Sequence, residues 1–151
     1  MPTIQSSIDI AAPPAVVREK FLDFATLPTY HTTFFHSITP LGPLIPPKKI
    51  RVEFSATGQK MDAVINENTP EAFTWTGSIP LLFTGTHTFE FSPMENGTRT
   101  RFIQREVFGG LFGFLMGGRD WVGFVGKTVR GWEGFNSDFR GWCEGQGGSG
   151  L

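Results

Sequence analysis

Of the three histidines in this 151-residue chain, His87 stands where proton chemistry is possible. Around it, Phe83, Gly85, His87, Phe89 and Phe91 alternate with Thr84, Thr86, Thr88 and Glu90, which reads as a β-strand with one apolar face. Asn96-Gly97 is a hairpin signal. Beyond it Phe102, Gln104, Glu106 and Phe108 share one face, and Arg99, Arg101, Ile103, Arg105 and Val107 the other. With Asn96 and Gly97 as the central turn residues, Phe91 faces Phe102, Phe89 faces Gln104 and His87 faces Glu106. Facing residues of an antiparallel pair project to the same side, about 5 Å apart. The spacing therefore sets an imidazole beside a carboxylate among aromatic rings. A loop lengthened at Pro93 would instead put His87 opposite Gln104 and diagonal to Glu106.

A carboxylate and an imidazole in apolar surroundings cannot stay unpaired cheaply. Paired, the carboxylate favours imidazolium, or it orients a neutral ring whose other nitrogen reaches inward. Such a pair can take a proton next to a ketone or activate a hydroxyl. It can equally do no more than pin two strands. Gln104 could donate to a ligand carbonyl or simply pack, and Tyr30 could supply a hydroxyl. His31 and His36 are five apart and do not share a helix face, so no metal site is expected. Cys143 reads as a buried structural thiol.

The elements that position these residues follow from periodicity. Ile4, Ser6, Ile8 and Ile10 form one face of a first strand. Ala12-Pro13-Pro14 ends it and opens a helix with Val16, Val17, Lys20, Phe21 and Phe24 at helical spacing. A second helical piece is expected over residues 26–35, interrupted early by Pro28, and a strand end plus a proline-rich loop over 37–48. Three strands follow, with turns at Thr57-Gly58 and Asn68-Thr69-Pro70. Ile50, Val52, Phe54, Met61, Ala63, Ile65, Phe73 and Trp75 fall on the face that carries His87. Val125, Val129, Trp132, Phe135, Phe139 and Trp142 then mark a long amphipathic helix, and Trp132 could line a cavity. Six or seven strands with segregated helices make an α+β arrangement.

Composition narrows the function. Lys+Arg 13 against Asp+Glu 14 gives a net charge of −1, without the basic footprint of a nucleic-acid binder. One cysteine excludes an internal disulfide framework. The start has no signal-peptide pattern and no apolar run reaches the roughly 20 residues of a membrane span, so a cytoplasmic domain is expected. Sixteen phenylalanines mean either a thick core or an apolar chamber, and the near-neutral balance fits an uncharged ligand. The segment 109–118, GGLFGFLMGG, bounded by Gly109 and Gly118, reads as a lid, a membrane-touching surface or a homodimer contact. Residues 145–151 are Gly/Ser-rich and read as a flexible tail after a single domain over 1–144.

The strings "SIDIAAPPAVV", "FTWTGSIPLLFTGTHTFEF" and "GTRTRFIQREVFGGL" resemble the START-like (Bet v 1-like, SRPBCC) superfamily, within it the polyketide cyclase/dehydrase branch. The resemblance runs from about Ile4 to Glu144. Members commonly show a Trp strand, then Gly-x-His-x-Phe, then an Arg-Phe strand ending in Glu-x-Phe-x-Gly. Here these are Trp75, Gly85, His87, Phe89, Arg101, Phe102, Glu106, Phe108 and Gly110. Tyr30-His31-Thr32 stands where members often carry Trp-x-Pro. The resemblance implies a helix-grip fold, a curved antiparallel sheet around a long C-terminal helix with an apolar cavity between. It also implies lipid or sterol carriage, hormone reception, or cyclase activity. The expected activity is aldol or lactone closure in a hydrophobic polyketide, without a cofactor. His87 would be the base, oriented by Glu106, with Gln104 or Tyr30 at the oxyanion. Phe54, Met61, Phe73, Trp75, Phe89, Phe102, Phe108 and Trp132 would contact the ligand. The alternative is a non-catalytic carrier of the same kind of ligand.

Overall fold

A computed structural model describes residues 3–79, 83–109 and 118–145. The order is β1 (Thr3–Ile10), α1 (Pro14–Leu22), a 3-10 turn (Phe24–Thr26), α2 (Leu27–Tyr30), β2 (Phe35–Pro40), β3 (Lys49–Phe54), β4 (Lys60–Asn68), β5 (Ala72–Ile79), β6 (Phe83–Met94), β7 (Arg99–Gly109) and α3 (Gly118–Cys143). The seven strands form one antiparallel sheet in the order β1-β7-β6-β5-β4-β3-β2. It curls into a half-barrel around α3, the helix-grip arrangement.

The local sequence explains each boundary that matters for the site. Pro14 occupies the first turn of α1, where its missing N–H costs nothing. Val17 and Phe21, four apart, are the buried face of that helix. The second helical piece is shorter than its sequence suggests: α2 stops at Tyr30, and His31 is already extended (φ −146°, ψ 134°). The reason is the His31 ring. Its Nε2 accepts hydrogen bonds from the Phe34 and Phe35 backbone N–H groups at 3.1 and 3.2 Å, and its Nδ1 donates to Asp138 Oδ2 at 2.9 Å. Those backbone donors are held by a side chain instead of a helical carbonyl, and Phe35 starts β2.

The β6–β7 register is the one expected from Asn96-Gly97: Phe91 pairs with Phe102, Phe89 with Gln104 and His87 with Glu106. The β3–β4 turn is wider than two residues. The Phe54 N–H donates to the Gln59 carbonyl and the Gly58 N–H to the Phe54 carbonyl, with Gly58 at φ 68°, a conformation glycine adopts readily. The pairing is thereby two residues away from that of a two-residue turn, with Val52 opposite Met61 and Ile50 opposite Ala63, and a shift of two keeps the same residues on the inner face. A register shift between Ile65 and Glu67 leaves Trp75 and Phe73 both buried.

The inner face of the sheet is filled in two different ways. At one end α1 drives Phe21 into the curl. Its ring contacts Phe24, Phe73, Phe89, Phe91, Phe102 and Phe139, with centroids 4.5–6.0 Å apart. Burying each such ring stabilises the fold by about 1.5–3 kcal/mol. Trp132, Phe135 and Phe139 of α3 are fully buried against the same face. At the other end the sheet and α3 part, and a cavity opens.

Candidate functional site

The cavity has a volume of about 600 Å³, within the range of small-molecule sites. Its inner wall is aromatic, with Phe35, Phe54, Trp75, Phe108, Phe124 and Trp132. Two close approaches shape it. Met61 lies across β5 where Gly77 has no side chain, and Phe34 packs on α3 where Gly131 has none; a Cβ at either glycine would overlap its neighbour. His87 and Glu106 are the two titratable groups of the inner wall, from the paired strands β6 and β7.

His87 Nδ1 stands 3.4 Å from Glu106 Oε1. Its Nε2 stands 2.9 Å from Gln104 Oε1. Gln104 Nε2 donates to Asn136 Oδ1 at 2.7 Å, and Asn136 Nδ2 donates to Ser6 Oγ at 3.2 Å. Within this chain Gln104 presents its carbonyl to the ring, so Nε2 carries the proton and Nδ1 is the acceptor facing Glu106. The ring stacks on Phe89 at 4.2 Å and packs on Trp132 at 4.8 Å and Trp75 at 5.4 Å.

Burial sets the charge state of both groups. His87 is pushed down to about 3 by desolvation, only partly opposed by the Gln104 hydrogen bond. Glu106 is pushed up to about 8, again by desolvation. At neutral pH the pair is a neutral imidazole beside a mostly protonated carboxyl, whose hydroxyl can point at Nδ1. Glu106 keeps 16% of its side chain exposed against 4% for His87, and it faces the cavity. The accessible acid–base group is thus the carboxyl.

A family model, polyketide cyclase/dehydrase and lipid transport, matches residues 1–134. The chain belongs to that family. Among solved structures it is similar to a START superfamily protein from Mycobacterium smegmatis (TM-score 0.70, 12% identity, 95% of this chain and 97% of that one). It is also similar to the ZhuI aromatase/cyclase from Streptomyces sp. R1128 (TM-score 0.69, 12% identity, 95% and 93%). A protein of the dynemicin biosynthetic locus gives a TM-score of 0.72 at 15% identity, over 97% of this chain and 49% of that one. At these identities the likeness is one of fold. No curated protein matches the sequence.

For this polyketide cyclase/dehydrase family member, the structure divides the residues singled out from the sequence. Phe54, Met61, Trp75, His87, Glu106, Phe108 and Trp132 line the cavity. Phe73, Phe89 and Phe102 do not; the Phe21 ring covers them. Tyr30 is also displaced from the expected role. Its ring stacks on Trp142 at 5.7 Å and packs on Phe135 and Phe139, and burial raises its pKa far above the ordinary phenol value. Gln104 is fully buried behind His87, where it cannot meet a ligand. The His87 nitrogen expected to reach inward is the one bonded to Gln104.

Asn136 was not among the expected site residues. It lies on the apolar stripe of α3, four residues after Trp132 and three before Phe139, and is 1% exposed. A lone amide on such a stripe needs partners, and that was its signal. The Cys143 thiol is buried and pushed up to about 12. Arg101 pairs with Asp9 and Arg105 with Glu90 on the outer sheet face. Among the described residues no three of His, Cys, Asp and Glu come together as metal ligands, and no helix is long and apolar enough to cross a membrane. Within the segment 109–118, residues 110–117 lie outside the described residues, as do 146–151 of the tail.

Proposed function

We propose that the protein binds a hydrophobic, ketone-bearing ligand in this cavity and closes a ring in it, with Glu106 moving the proton. The observation that carries this reading is a carboxyl at the wall of an aromatic cavity, its pKa raised to about 8. An acid–base group works best with a pKa near the working pH. In its ionised form Glu106 removes a proton α to one carbonyl. The resulting enolate carbon attacks a second carbonyl, a C–C bond forms, and the proton returns to the new alkoxide oxygen. His87 is a positioning residue in this scheme. Its unprotonated Nδ1 accepts from the neutral carboxyl and holds it toward the cavity, while Gln104, Asn136 and Ser6 keep the ring in that tautomer. The aromatic walls fold the flexible chain into a reactive shape.

The test uses a linear poly-β-ketone, with ring closure followed by chromatography and mass spectrometry, and binding by quenching of tryptophan fluorescence. Wild-type protein accelerates closure over the spontaneous rate. Glu106→Gln loses about 10²–10⁴-fold of that acceleration and still quenches. A variant that cyclises at the wild-type rate refutes the proton-transfer role. The closed hydrogen-bond chain behind His87 favours a second reading, carriage without chemistry. Recovery of an unaltered ligand by native mass spectrometry, with no acceleration of closure, would establish it.

A further inference from the structure

The inner cavity wall is apolar, but its mouth is charged, and charged with one sign. Lys127 and Arg130 of α3, three residues apart and so on one helix face, both border the opening and both are exposed. Neither has a carboxylate within 4 Å among the described residues. Arg51, Arg99, Arg101 and Arg105 are each held in an ion pair, whereas the two rim cations are in none with the described carboxylates. Gly126 contributes to the arrangement: Arg130 Nη1 lies 3.3 Å from where a Cβ of that residue would stand, so the guanidinium folds back along the helix over a position with no side chain. Thr33, Thr57, Gln59 and Thr128 add uncharged hydrogen-bonding residues to the cavity lining. The one acid of the described cavity lining is Glu106.

We propose that Lys127 and Arg130 form a head-group site for an anionic amphiphile, whose carboxylate or phosphate sits at the mouth while its apolar body fills the cavity. The near-neutral net charge of the whole chain had suggested an uncharged ligand; the local charge at the mouth favours an anionic one. Arginine and lysine both donate charge-assisted hydrogen bonds to such oxygens, and a half-open apolar chamber below accepts the rest of the molecule. The inference rests on the cavity being a ligand site. It also orients the ligand, with the end remote from the anion lying toward Glu106.

The experiment compares decanoate, decyl phosphate and decanol at pH 7 by tryptophan fluorescence, since Trp75 and Trp132 line the cavity. The anionic ligands should bind about tenfold more tightly than decanol, and the preference should shrink as salt rises. The double variant Lys127→Gln/Arg130→Gln should lose the preference and keep its affinity for decanol. Equal binding of all three by the wild-type protein overturns the head-group site alone. So does a preference that survives in the double variant. Failure of all three to bind overturns the cavity reading, and the head-group site with it.

Discussion

Replacing Glu106 by glutamine should stabilise the fold, and by more as pH rises. The carboxyl has its pKa raised from 4.5 to about 8 by burial, so the folded protein keeps a proton that the unfolded chain has already released. Its contribution to stability is complete below about pH 4.5 and gone once pH has risen through 8. A gap of roughly 3.5 pH units at about 1.4 kcal/mol each bounds the loss at about 5 kcal/mol. Water entering beside the 16% of the side chain left exposed reduces this to about 2–3 kcal/mol. Glutamine has the same shape and no charge to desolvate. The assay is urea unfolding followed by tryptophan fluorescence at pH 5, 7 and 9. The variant should be close to wild type at pH 5 and about 2–3 kcal/mol more stable at pH 9, or roughly 4–12 °C in Tm for a chain of this size. His87 acts in the opposite direction: its lowered pKa costs stability as pH falls from 6.5 toward 3. It is present in both proteins, so its contribution cancels in the difference. A difference that is constant from pH 5 to 9 would refute the claim that Glu106 is buried as an acid.

Phe21→Ala should cost about 3–5 kcal/mol in urea unfolding, because that ring meets six others. Quenching by decanol should be unchanged where the variant is folded; a large loss of binding would mean that the two halves of the interior are not separate. His31→Ala leaves two backbone N–H groups without their acceptor and should destabilise by about 2–4 kcal/mol, with Asp138→Asn milder because Asp138 is partly exposed. Equal stability of wild type and His31→Ala would show that the ring does not hold the start of β2.

The sheet was readable because alternation and the Asn96-Gly97 turn leave few choices. Together they place His87 opposite Glu106, and the structure has that pair. Periodicity states which face a residue occupies. It does not state what covers that face at each point along it. Phe73, Phe89 and Phe102 share a face with Trp75 and His87, yet a single ring from α1 seals the first three and leaves the others at the cavity. Nor does strand pairing disclose what approaches from above. Asn136 arrives from α3 and decides, through Gln104, which His87 nitrogen carries the proton. The charge at the mouth was hidden in a near-zero total, since net charge averages over the surface while Lys127 and Arg130 act at one spot.

The sheet order has a consequence for how the chain assembles. β2 to β7 follow one another as neighbours, so each can pair with the strand just made. β1 is different: it is the first strand in the chain and joins the edge beside β7, pairing Thr3 with Val107 and Ile10 with Thr100. Closing so long a loop is entropically costly, and non-local pairings of this kind slow folding. During synthesis β1 must wait until β7 has emerged, and α3 emerges later still. Glu106 and His87 can pair within their hairpin before then, but Ser6 and Asn136 reach them from the two ends of the chain. The buried hydrogen-bond chain is therefore completed last, when the first strand and the last helix meet over the same strands.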